Sequence, residues 1–347
     1  MKLLFLSDTH LGFDYPFRPR IERRRRGPDF FRMFELALLP ALNGEVDAVV
    51  HGGDILFRSK VPPLLVQMAF EPLFKVAQMG VPVYLVPGNH ERSQIPYRLL
   101  ASHPNIHIFV RPKTFYLEVG GFTLALAGFP YVADNVRQNF LHALQETRWQ
   151  EKPCDAVVLC IHHCVEGSAI QMGNRVHVFR DNNDVVRIRE FPSGLAAVLS
   201  GHIHRFQVLT RDLRGQPVAV PVFYPGSTER TSFVEKDEEK GYLILELERA
   251  GAGFPGGKVK GWQFNRLPAR PMKVLEVQAG QWRASVLVDW IKSSLAGLAV
   301  DSVVKINFSG TLSPACLQIV RAESLRELVP QSMNVSVNLV DMSRLFP

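Results

Sequence analysis

Five short clusters of carboxylate, amide and imidazole side chains follow apolar runs in this chain, and they constrain its fold more than any other feature. They are Asp8-Thr9-His10, Gly52-Gly53-Asp54, Gly88-Asn89-His90-Glu91, His162-His163 and Gly201-His202-Ile203-His204. In four of the five, the polar residues come directly after a predicted strand; Gly52-Gly53-Asp54 follows its strand with only His51 between. Binding sites in open α/β sheets gather at the carboxyl ends of strands, so five such ends converge on one crevice. The glycines let the backbone turn sharply and come close to a ligand.

The apolar pattern agrees. Residues 3–6, 46–50 and 83–86 read as buried strands, separated by helices over 30–42 and 63–79 whose apolar residues recur at helical spacing. This alternation predicts an α/β fold with a mostly parallel sheet and covering helices. A hairpin over 115–127 turns at Gly120-Gly121, a helix follows over 136–144, and a strand over 157–161. Further strands over 196–199, 206–211, 218–223 and 242–247 complete a first domain, residues 1–267, of two facing mixed β-sheets flanked by helices. Residues 262–267 can pair back onto the strand before them. Residues 166–189 are polar and read as a long loop, of the kind that tends to be functional. Residues 268–347 read as strand, helix, strand, a partly helical stretch and a last strand. That is a small α+β unit without histidine, suited to binding or capping. Two domains also fit 347 residues at one per ~150.

Net charge is +7, which permits polyanion binding without requiring it. The charge is uneven. Arg18, Arg20, Arg23, Arg24, Arg25 and Arg26 crowd one segment directly after the first motif, and read as a solvated loop face, as a phosphate-facing patch or as a targeting signal. No apolar run reaches about 18 residues, so no membrane span is expected. The start is too short for a secretory signal. Four cysteines without a CxxC pair predict a reducing, cytoplasmic setting.

The five motifs supply the donors that phosphoester hydrolysis requires. The reaction needs a strong nucleophile, neutralised phosphoryl oxygens and a stabilised leaving group, and two cations ~3.5–4 Å apart provide all three. Imidazole and carboxylate donors suit Mn, Fe or Zn, and no soft thiolate site is apparent.

The order of the motifs resembles the calcineurin-like metallophosphoesterase superfamily over residues 1 to about 205. It resembles in particular the SbcD-type DNA-repair nucleases. Tyr224-Pro225-Gly226-Ser227-Thr228-Glu229-Arg230, then Phe233, Glu235, Lys240 and Gly241, look like that subgroup's stretch after the last histidines. Arg270-Pro271 opens a unit similar to its DNA-capping domain. The resemblance implies the four-layer metallophosphoesterase fold. It also implies that Asp8, His10, Asp54 and His204 hold one cation and that Asp54, Asn89, His162 and His202 hold the other, with Asp54 bridging. His90 would be the catalytic histidine that is not a ligand. Glu91 would orient its neighbours, while His163 and His51 read as residues standing behind the ligands. Mn2+ is the foremost cation, with Fe, Zn and Mg as alternatives.

As partners the resemblance implies DNA, cut to 5′-phosphorylated products by an exonuclease or endonuclease of double-strand-break repair. It also implies a homodimer and an SMC-like coiled-coil ATPase, although no clear helical segment for gripping that ATPase follows the capping-like unit. One residue departs from the pattern. Where the subgroup often has a histidine three residues after the bridging aspartate, this chain has Phe57, followed by Arg58, which can contact phosphate. Two other readings stand beside the nuclease: a phosphoesterase of nucleotides or other small esters, and a non-catalytic DNA-binding or regulatory subunit.

Overall fold

The computed structural model describes residues 1–15, 25–91, 103–173, 175–249, 251, 256–280 and 282–340. The chain divides into two compact units. One comprises Met1–Phe13, Asp29–Arg230 and Glu238–Pro268; the other comprises Asp14–Pro28, Thr231–Asp237 and Ala269–Pro347.

The first unit alternates strand and helix as the apolar runs predict. Its elements begin β1 (Lys2–Leu6), α1 (Gly27–Leu42), β2 (Ala48–His51), α2 (Pro63–Gln78), β3 (Val83–Leu85) and β4 (Ile106–Ile108). The hairpin β5 (Lys113–Val119) and β6 (Phe122–Gly128) follows, then α3 (Val136–Glu146) and β7 (Ala156–Ile161). Four short strands come next: β8 (Cys164–Val165), β9 (Ala169–Met172), β10 (Arg175–Val178) and β11 (Val185–Val186). The unit closes with β12 (Ala197–Ser200), β13 (Gln207–Arg211), β14 (Pro217–Tyr224), β15 (Gly241–Glu248) and β16 (Lys258–Arg266). Two six-stranded sheets result, ordered β16-β15-β1-β2-β3-β4 and β13-β14-β12-β7-β6-β5. Both are mixed: β1 pairs parallel with β2 and antiparallel with β15, and β12 pairs parallel with β7 while β13 pairs antiparallel with β14.

Period-two alternation decides which side chains meet between the sheets. Leu3, Phe5, Val50 and Tyr84 of the first sheet share one buried cluster with Leu124, Leu126, Val158 and Phe223 of the second. The intervening residues Ala125, Ala127, Val157 and Leu159 face the other way, into a cluster with Phe140 and Leu144 of α3. The stretch 166–189 differs from the plain loop its polarity predicts. It contains the antiparallel hairpin β9–β10, and β11 pairs with β8. Its strands are too short and too polar to stand out as apolar runs.

The second unit holds β17 (Met272–Gln278), α4 (Ala284–Ala296), β18 (Val303–Ser309), α5 (Pro314–Ile319), α6 (Ala322–Leu328) and β19 (Asn334–Val340). Its three strands are parallel, which requires helical crossovers rather than tight turns. Leu287, Ile291 and Leu295 of α4 pack on Val304, Ile306 and Phe308 of β18. The buried Arg270 guanidinium donates to the Asp301 and Ser332 carbonyls at 2.7 and 2.9 Å and to Asn334 Oδ1 at 2.6 Å, which fastens the entry of β17 to that of β19. Among the described residues, no helix is long and apolar enough to cross a membrane.

Leu126 is fully buried between the two sheets of the first unit. Leu126→Ala should therefore lower unfolding free energy by roughly 2–5 kcal/mol, read from the chemical denaturation midpoint.

Candidate metal centre

The ladder between β1 and β2 runs on past the strand ends. The amide of Asp8 donates to the Gly53 carbonyl at 2.9 Å, that of His10 to Asp54 at 3.1 Å and that of Leu11 to Ile55 at 2.8 Å. These bonds fix two donor-bearing loops against each other. Asp8, His10, Asp54 and His202 all have left-handed backbone, with φ of 53°, 44°, 52° and 84°. For residues with a Cβ this costs roughly 1 kcal/mol or more each, and it persists only where the surroundings over-determine it. Glycine is needed here for closeness. A Cβ on Gly201 would lie 2.3 Å from the Gly52 carbonyl oxygen and 2.7 Å from His162 Nδ1, and one on Gly88 would lie 2.3 Å from Asp54 Oδ1.

Three overlapping groups of donor atoms result. Asp8, His10 and His204 form one, His10, Asp54 and His90 a second, and Asp54, His162 and His202 a third, each with ligand atoms within 4.8 Å of one another. His10 Nε2 and His204 Nε2 are 2.9 Å apart, with Asp8 Oδ1 4.0 Å from the latter. Asn89 Oδ1 lies 3.1 Å from His162 Nε2 and 2.9 Å from His202 Nδ1, and those two nitrogens are 3.3 Å apart. Asp54 Oδ2 lies 3.5 Å from His162 Nε2 and 3.7 Å from His90 Nε2. Around a cation with bonds of about 2.1 Å, neighbouring octahedral donors sit about 3 Å apart, so these spacings fit bound divalent ions.

Hydrogen bonds orient the rings. His162 Nδ1 donates to the Gly52 carbonyl at 2.7 Å, which turns its Nε2 toward the donors. Such an outer partner is the usual device for fixing a ligating imidazole. Both oxygens of Asp8 accept the His202 amide at 3.1 Å, and Ser7 Oγ also donates to Asp8. Asp54 Oδ1 accepts the His90 amide at 3.0 Å, and His90 Nδ1 donates to the Phe57 carbonyl. The Phe57 ring packs edge-on against Phe13 at 4.9 Å. The half-buried Phe57 ring also lies 6.5 Å from the His90 ring, so both its backbone and its side chain border the site.

The electrostatics favour cations. Burial raises the Asp8 carboxyl above its ordinary value. Burial acts the same way on Asp54, but His162, then His10 and His90, outweigh it and hold Asp54 well below the usual carboxylate range. Burial would lower His162, yet Asp54 and Asp8 lift it to about 9. The two carboxylates thus favour positive charge at this place, which is what a bound cation supplies. His202, by contrast, is pushed down to about 3 by burial and by His162. Access is lopsided: the side chains of His90 and His204 are 30% and 28% exposed, while those of His162 and Asp8 are sealed.

The remaining sequence candidates stand around this core. His51 Nδ1 accepts the Gly53 amide at 3.2 Å, and its Nε2 meets Thr9 Oγ1 at 3.1 Å, which in turn donates to the Ile55 carbonyl. These partners make His51 a neutral strut, and burial holds it down to about 3. His163 Nε2 accepts the Val132 amide at 3.2 Å, and its ring stacks on Tyr131 at 4.9 Å. Tyr131 in turn lies 5.7 Å from the His202 ring; sequence reasoning misses it, because a lone tyrosine after a Phe-Pro step has no motif. Glu91 accepts the amides of Asp54, Leu56 and Gly88 at 2.9, 3.0 and 2.8 Å. It therefore buckles the loop after β2 to the loop after β3, and burial together with Asp54 pushes it up to about 8. Arg58 is exposed. Arg18, Arg20, Arg23 and Arg24 lie outside the described residues. Arg25 pairs with Asp14 at 3.0 Å, and Arg26 is buried.

Known proteins similar to this chain give it a family. The sequence profile of the calcineurin-like phosphoesterase family matches residues 1–206. The DNA double-strand break repair protein Mre11 of Aeropyrum pernix is 25% identical over 80% of this chain and 64% of its own length. The protein of the same name from Haloferax volcanii is 31% identical over 71% of this chain and 49% of its own length. The SbcD subunit of the SbcCD nuclease of Bacillus subtilis is 25% identical over 72% of this chain and 66% of its own length. This chain spans from 49% to 66% of the length of these relatives. The profile match takes in more than half of the chain and every one of the donor loops: the chain belongs to the calcineurin-like phosphoesterase family.

Proposed function

We propose that this chain is a two-metal phosphodiesterase that cuts DNA and leaves 5′-phosphorylated ends during double-strand-break repair. The observation that carries the reading is the overlap of the three donor groups, in which Asp54 and His10 each belong to two. A pair of divalent cations bound there supplies Lewis acidity toward phosphoryl oxygens and lowers the pKa of attacking water. Asp8, His10, Asp54 and His204 would hold one cation and Asp54, Asn89, His162 and His202 the other. Imidazole, carboxylate and amide donors without thiolate suit Mn2+. The names of the relatives, repair proteins and a nuclease subunit, favour DNA over a small ester.

The protein groups then divide the work. His162 and Glu91 keep their orientation through backbone partners, so the donors need no rearrangement when substrate arrives. His90 anchors Nδ1 on the Phe57 carbonyl and turns Nε2 toward Asp54 on the exposed side. A protonated Nε2 there can give its proton to the departing sugar oxygen. Arg58 and the arginines at 18, 20, 23 and 24 would take phosphates beside the reacting one, while Arg25 is engaged by Asp14 and Arg26 is buried. The unit from Ala269 onward would cap the DNA, as in the domain division expected from the sequence. A homodimer, a coiled-coil ATPase partner and a cytoplasmic setting complete the proposal.

A Mn2+-dependent assay on end-labelled single- and double-stranded DNA tests the whole reading; hydrolysis of small diesters with intact DNA would overturn it. Asp54→Asn should reduce the bound Mn2+ from two ions to one or none, measured by metal analysis of the dialysed protein. His90→Gln should keep both ions while turnover falls about 10²–10⁴-fold. Replacing Arg18, Arg20, Arg23 and Arg24 by alanine should flatten the plot of log affinity for DNA against log salt, by about 0.9 for each phosphate no longer neutralised.

A further inference from the structure

The excursion between the two ligand loops of the second sheet has a buried root and an exposed end. At the root, Val165, Val185, Val186 and Ile188 sink into the outer core beside Phe140. Backbone bonds from Gly167 to the Phe179 carbonyl at 2.9 Å and from Phe179 to the Ser168 carbonyl at 2.8 Å lead into β9 and β10. Gln207 clamps the first residue of β9 from the side: its Oε1 accepts the Ala169 amide at 2.8 Å and its Nε2 donates to the Ala169 carbonyl at 2.9 Å. Ala169 lies six residues after His163, and Gln207 three after His204. The hairpin base is thus held between the two chain segments that carry His162, His202 and His204. Each four-residue strand extends roughly 13 Å from that base.

The far end is chemically distinctive. Met172 pairs with Arg175 and Ile170 with His177, so Met172 and Arg175 share one face. Met172 is 58% exposed on that face, while Val176, 53% exposed and opposite Gln171, lies on the other. Arg175 and His177 are exposed, as is Arg180 just past the hairpin base. Neither strand carries an acidic side chain. Of the acidic residues around the hairpin, Asp181 is engaged by Arg137 and Glu190 by Arg187, while Glu166 and Asp184 stand outside its two strands. Exposed apolar tips beside arginines fit a polyanion with apolar faces. A nucleic-acid strand offers phosphates to Arg175 and sugar and base faces to Met172 beside it.

We infer that the hairpin Ala169–Val178 is a DNA-contact element that lays the substrate strand across the metal centre. The inference rests on the nuclease reading above and adds the surface that would hold DNA. Because the base is fixed by core packing and the Gln207 clamp, little ordering remains to be done on binding.

The test compares wild type with the variant Met172→Ser, Arg175→Ala, Val176→Ser, Arg180→Ala. Both are assayed with Mn2+ on single-stranded DNA and on bis(para-nitrophenyl) phosphate. All four side chains stand at or near the surface, so the variant should melt as wild type does; if it does not, Arg175→Ala alone is used. The expected result is a KM for DNA raised about tenfold or more, the order set by removing one stacking and one phosphate interaction, with kcat and small-diester hydrolysis unchanged. An unchanged KM for DNA would overturn the inference. So would a parallel loss on both substrates, since that would make the hairpin a buttress of the metal centre. A wild-type protein that hydrolyses the small diester but neither binds nor cuts DNA would instead overturn the nuclease reading, and this inference with it.

Discussion

The hydrogen bond from His162 Nδ1 to the Gly52 carbonyl joins the two sheets at the point where the donors meet. Gly52 follows a strand of the first sheet and His162 a strand of the second. A second link, from the His202 amide to Asp8, crosses the same seam. Each sheet alone offers half a centre: Asp8, His10, Asp54 and Asn89 from one, His162, His202 and His204 from the other. The absent side chain at Gly201 lets the halves close to this distance. Packing of Leu126 and its neighbours between the sheets is therefore part of the chemistry, because it sets the spacing of the donors.

Assembling these groups is unfavourable in itself. Four of them strain the backbone into the left-handed region, and Asp8, His10 and Asp54 among them are buried. The network around them limits the cost by satisfying polar atoms one by one. His51 hands its proton toward Thr9, Glu91 collects three amides, and His163 receives one. What such a network leaves over is a converging set of lone pairs. Cations that bind only the folded form would then stabilise the fold as well as the reaction.

Much of this is legible in the amino-acid sequence itself. A carboxylate, amide or imidazole within a few residues of a short buried apolar run reads as a strand-end residue, and Asp8, Asn89, His162 and His202 are all of that kind. The succession of strands and helices follows from the same apolar runs, including those after Arg270. What is not legible depends on partners far away in sequence. Glu91 acts through amides 35 and 37 residues back, and the neutral state of His51 follows from Thr9 in another loop. Tyr131 lacks a motif altogether. The hairpin after His163 reads as loop because its short strands mix polar and apolar residues without a sustained alternation.

The pairing of β1 has a consequence for how the protein is made. β1 sits between β2 and β15, with Lys2 opposite Glu246. On the ribosome, this strand therefore cannot gain both neighbours until the segment around Glu246 has emerged. Contacts of such long sequence separation form slowly. Until then Asp8 and His10 would stand at the end of a strand paired on the β2 side alone, so the framing of the centre is tied to the closing of its sheet.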